Sequence, residues 1–114
     1  MNLMYVTIIL FAIAAVLGVS MLIKWLTKKE VSKTVIYSHG IFAALALVLL
    51  IVFAIQNPEN FPKASLILFI IAALGGFYMF IRDLQKKMRP LYIAFAHALL
   101  AVAGFVALLL FAFA

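Results

Sequence analysis

The chain has 114 residues, 70% of them hydrophobic and 11% charged, with a formal net charge of +6. That composition excludes a water-soluble globule, and the little chain outside the apolar runs excludes a soluble catalytic domain. The absence of cysteine removes disulfides, iron–sulfur clusters and thiolate metal sites.

The first apolar run covers about 3–26. It has no basic residues ahead of it and runs too far before Lys24 to read as a signal peptide, so it is expected to stay as a first membrane span. A basic connector follows, with Lys24, Lys28, Lys29 and Lys33. The second run, about 34–55, is apolar apart from His39, roughly one turn inside its start. An ionisable side chain at that depth is a hypothesis about function by default.

Asn57-Pro58 and Pro62 break the chain before a third run at about 64–82, which contains the pair Gly75-Gly76. A second basic connector carries Arg82, Lys86, Lys87 and Arg89. Pro90 suits the first turn of the fourth run, about 90–113, because its missing amide hydrogen is not needed there. That run contains His97. Each run is near the roughly 20 residues that cross a bilayer core as a helix.

Eight of the nine lysines and arginines fall in the two basic connectors. The positive-inside rule places those connectors in the cytoplasm and both termini outside, with Trp25 as an interfacial anchor. The expected location is a bacterial inner membrane. The positive charge is explained by topology and by anionic lipid headgroups, not by nucleic acid, for which no basic domain or stacking platform exists.

Residues 9–29, "ILFAIAAVLGVSMLIKWLTKK", and 67–87, "ILFIIAALGGFYMFIRDLQKK", are identical at twelve of 21 positions with a constant offset of 58. The same offset carries His39 onto His97, Ala43 onto Ala101, Leu50 onto Leu108 and Phe53 onto Phe111. The chain therefore reads as two tandem helical hairpins, 1–56 and 59–114. Each copy has an even number of spans, so both run in the same direction and the implied two-fold axis lies along the membrane normal. The expected fold is all-α: one transmembrane domain, a four-helix up-down-up-down bundle with spans two and four on a diagonal.

On span two, His39, Ala43, Ala46, Leu50 and Phe53 step by 4, 3, 4 and 3, tracing one helix face. Phe11, Ala14, Gly18 and Met21 do the same on span one and recur as Phe69, Ala72, Gly76 and Met79. Stacked by depth, these faces put His39 and His97 with Met21 and Met79 at one level. Gly18, Gly76, Ala43 and Ala101 form a layer of small side chains beneath, and phenylalanines close the other end.

Small residues at four-residue spacing also serve close helix packing alone, and each histidine can be satisfied by a carbonyl, by Ser20 or Ser38, or by the other ring. Two inward imidazoles at one depth, beside a layer of small residues, point further, to a b-type haem. Its iron takes neutral imidazole axially, its macrocycle needs a slot of small apolar residues, and Lys33, Arg82 and Arg89 are candidate partners for its propionates. The expected site is His39 and His97 as iron ligands, with Gly18, Gly76, Ala43 and Ala101 lining the cofactor. The expected role is electron transfer or binding more than enzymatic turnover, which the sequence leaves open, with a redox partner or quinone and a possible homo-oligomer.

Three other readings stand beside it. Two His and two Met at one level suit copper. A small transporter matches the size of the small multidrug resistance exporters, although residues 3–26 contain no acidic residue. A structural or assembly protein without cofactor would use the histidines as links between helices. The bundle is similar in plan to membrane cytochromes b, where histidines on facing helices hold haem, and here only "HG" at 39–40 and "HA" at 97–98 carry the resemblance.

Overall fold

The computed structural model describes residues 2–114, and among them it contains four α-helices and no strand. These are α1 (Leu3–Leu26), α2 (Lys33–Gln56), α3 (Lys63–Leu84) and α4 (Leu91–Phe113). A helix of 24 residues, as in α1 and α2, is long enough to cross the bilayer core of about 30 Å with some tilt.

Local chemistry sets the helix ends. The Asn2 side chain accepts the Met4 amide at 2.7 Å, and the Ser32 hydroxyl accepts the Val35 amide at 3.3 Å, each satisfying a donor that the helix leaves open. Pro90 lies one residue before α4, in extended conformation, and not inside its first turn as expected. Its ring still fixes the backbone that leads into the helix.

Both basic connectors begin with the same stop. Lys28 and Lys86 adopt left-handed conformations with φ of 58° and 56°. The Lys29 amide then donates to Lys24 O at 2.7 Å, and the Lys87 amide to Arg82 O at 2.9 Å. This is a Schellman turn, usually built on glycine. Lysine at both positions accepts a steric cost of roughly 1–2 kcal/mol for a left-handed L-residue. The two lysines are 58 residues apart, so the repeat extends to backbone geometry.

α1 pairs with α2 and α3 with α4 as hairpins, and the hairpins meet through α1 against α4 and α2 against α3. The diagonals α1/α3 and α2/α4 touch only through side chains, and there each residue meets its own counterpart. The Phe11 and Phe69 rings stack at 3.9 Å, within 5° of parallel. Phe53 and Phe111 meet edge to face at 6.0 Å. Leu50 and Leu108 are both 0% exposed. The two-fold axis implied by the repeat therefore runs through the bundle centre.

The core of Met4, Phe11, Ala46, Leu50, Phe69 and Leu108 occupies the half away from the basic connectors. Outward-facing Val16, Ile55, Leu74, Phe77, Leu99 and Val102 are exposed on the bundle surface. In water such a surface would be untenable, whereas acyl chains cover it without penalty. The chain is an integral membrane four-helix bundle.

Candidate functional site: the paired histidines

His39 and His97 lie on the diagonal helices α2 and α4, half-buried, with ring centroids 6.2 Å apart and planes at 78°. Each ring crosses to the other helix of its own hairpin. His39 Nδ1 is 2.8 Å from Ala14 O, and His97 Nδ1 is 2.6 Å from Ala72 O. A carbonyl oxygen can only accept, so each Nδ1 carries the proton and donates it. In the neutral ring Nε2 is then left with a lone pair.

Glycine makes this reach possible. A Cβ on Gly18 would lie 2.9 Å from His39 Cε1, and one on Gly76 would lie 2.9 Å from His97 Cε1. Real Cβ atoms do not approach so closely, so any larger residue would push the imidazole off its carbonyl. Ala14 and Ala72, buried one turn along, keep the carbonyls accessible. Ala43 and Ala101 lie one turn beyond the histidines on α2 and α4, half-buried. The structure therefore brings the two histidines and their glycines together. The space released by each glycine is filled first by an imidazole.

Ser20 is not a partner of either ring: its hydroxyl donates to Leu17 O at 2.7 Å within its own helix. Gly75 differs from its neighbour, because a Cβ there would meet His97 Cβ at an ordinary 3.8 Å. Met21 and Met79 are buried on the same inward faces as Gly18 and Gly76, one turn nearer the basic end. Among the described residues, no group of three His, Cys, Asp or Glu side chains gathers as a metal site.

The basic residues expected near the site divide. Arg82 donates through Nε and Nη2 to Met88 O at 2.9 and 2.7 Å, tying down the α3–α4 connector. Lys33 is exposed at the start of α2. Arg89 reaches inward, pairs with Asp83 at 3.0 Å and lies 4.1 Å over the Trp25 ring.

Two buried hydroxyls were not anticipated. Thr7 and Ser65, 58 residues apart, are both 0% exposed. Thr7 donates to Leu3 O within α1 at 2.8 Å, whereas Ser65 donates across the hairpin to Gly104 O at 2.8 Å. The signal was present: each lies four residues before a seam phenylalanine, Phe11 or Phe69, so the heptad continues through it.

Comparison with protein-family models, curated proteins and solved structures finds no match to this chain.

Proposed function

We propose that this protein is a small membrane cytochrome of b type, in which Nε2 of His39 and Nε2 of His97 ligate one haem and the bundle carries electrons. The observation that carries the reading is the paired Nδ1–H bonds to Ala14 and Ala72, which commit both rings to the tautomer with a free Nε2. A hydrogen bond from the second ring nitrogen to a carbonyl is how proteins orient and strengthen a ligating histidine.

The size of the donor set favours haem over zinc. Two imidazoles leave zinc two ligands short of its usual four, while a porphyrin would bring four nitrogens of its own and leave only two ligands for His39 and His97 to supply. A haem held by both His39 and His97 would supply a one-electron couple suited to electron transfer. In this reading Gly18 and Gly76 recess the rings against α1 and α3, while Ala43 and Ala101 flank the cofactor on α2 and α4.

The setting proposed with it is a bacterial inner membrane, with the basic connectors in the cytoplasm and both termini outside. A membrane quinone or a small redox protein is the exchange partner, and a homo-oligomer through the lipid face is compatible with the reading.

Absorption spectroscopy on protein purified from haem-replete cells tests it. A Soret band with sharp reduced α and β bands is expected, lost in either His39→Ala or His97→Ala. Copper without iron would favour a site of His39, His97, Met21 and Met79. A second reading draws on the same hydrogen bonds: the rings act as links between helices and bind nothing. Colourless, metal-free protein that stays folded after both histidines become leucine would select it.

A further inference from the structure

The inward seams of α1 and α3 continue past Met21 and Met79 to Trp25 and Asp83, which occupy equivalent places in the repeat, 58 residues apart. One side chain answers both. Arg89 places its guanidinium carbon 4.1 Å from the Trp25 ring centroid and its Nη2 3.0 Å from Asp83 Oδ1. Arg89 is therefore set across the mouth of the bundle at its basic end. Trp25 is seven residues from Gly18, about 10 Å along the helix toward the basic end.

Two features of the cluster are unfinished. Trp25 Nε1 is buried, and among the described residues it has no acceptor. A buried N–H without a partner is a desolvated donor, which native structures normally satisfy. Arg89 in turn gives a hydrogen bond to one carboxylate oxygen and keeps further N–H groups for another acceptor. An indole N–H beside a guanidinium calls for a group that only accepts and carries negative charge. Asp83 does not fill that role, because its bond is to the arginine alone.

We propose that Arg89 and Trp25 form a receptor for a single oxyanion, a carboxylate or a phosphate, at the basic mouth of the bundle. Arg89 lies in the connector, so its side chain can shift to let an oxygen reach Nε1 while Asp83 keeps hold of the guanidinium. Two sources carry this chemistry. The carboxylates of a porphyrin held by His39 and His97 are one, and that source rests on the haem reading. The phosphate of an anionic lipid headgroup is the other and does not depend on it.

The test uses the full chain, whose single tryptophan reports on the site. Purified cofactor-free protein in phosphatidylcholine nanodiscs is titrated with ferric protoporphyrin IX and with its dimethyl ester, which lacks free carboxylates. Trp25 emission is also compared in dodecyl maltoside micelles, which hold no phosphate, without and with added phosphatidylglycerol. For the carboxylate source, the free acid binds about tenfold tighter than the ester, the size of one charge-assisted hydrogen bond. Arg89→Gln abolishes that preference. Trp25→Phe, which keeps an aromatic ring under the guanidinium while removing the N–H, reduces it.

For the phosphate source, phosphatidylglycerol shifts Trp25 emission and Arg89→Gln abolishes the shift. If that occurs while neither porphyrin binds, the receptor stands and the haem reading falls. Equal binding of both porphyrins with no lipid effect overturns the receptor and leaves the haem reading intact. No porphyrin binding and no lipid effect overturns both.

Discussion

The imidazole of His39 lies against the bare Cα of Gly18, so close that a methyl group there would stand 2.9 Å from its Cε1; His97 and Gly76 repeat the contact at the same distance. Gly18→Ala and Gly76→Ala are therefore expected to dislodge the rings from Ala14 O and Ala72 O. Gly75→Ala, with its 3.8 Å clearance, and Gly40→Ala, with nothing within 4 Å, are expected to be tolerated. Nitrogen-15 NMR of histidine-labelled protein in detergent checks this. The Nδ1–H signal of one ring should shift in each of the first two variants and stay in place in the others.

Replacing His39 with asparagine separates linking helices from binding metal. Its amide nitrogen takes the place of Nδ1 and can still donate toward Ala14 O, so the bundle should lose no more than about 0.6 kcal/mol, the average worth of an interhelical hydrogen bond in a membrane protein. Any haem spectrum should vanish. Unfolding in mixed detergent and an absorption scan of the same sample measure the two effects separately.

Ser65 and Thr7 occupy equivalent positions and make different bonds, one between helices and one within a helix. Ser65→Ala should destabilise the bundle by about 1 kcal/mol, because it also leaves a cavity between α3 and α4. Thr7→Ser keeps the hydroxyl and loses only a methyl group, so any large effect there would be a packing effect. Detergent unfolding midpoints of the two variants decide the comparison.

Lys28 and Lys86 hold left-handed backbone that glycine enters freely. Lys28→Gly and Lys86→Gly are each expected to stabilise the protein by about 1 kcal/mol, whereas alanine in the same places gives no such gain. A stabilised alanine variant would mean that loss of positive charge, and not backbone relief, was responsible.

Phe11 stacks on Phe69 across the diagonal between α1 and α3, so the coupling of these two rings tests whether both face the bundle axis. A double-mutant cycle to leucine should return about 0.5–1.5 kcal/mol of interaction beyond the separate losses. Additive effects would place the rings apart in the membrane.

Much of this molecule was legible in its residue order. The four spans follow from run length, the hairpin repeat from the offset of 58, and the inward faces from the steps of three and four through His39, Ala43, Ala46, Leu50 and Phe53. Periodicity suffices for these because a helix fixes the direction of each side chain by its position along the chain. Even the buried Thr7 and Ser65 lay on that period, although their polarity hid them.

The hydrogen-bond partners were decided only in three dimensions. That each histidine finds a carbonyl on the other helix of its own hairpin, 25 residues earlier, depends on how closely two backbones approach at Gly18 and Gly76. The division between Arg82, which serves its own connector, and Arg89, which spans Trp25 and Asp83, likewise rests on the path of one short loop. A repeating pattern specifies which face is buried. Contacts of a few ångströms between separate segments depend on helix separation and rotation, which no period in the sequence encodes.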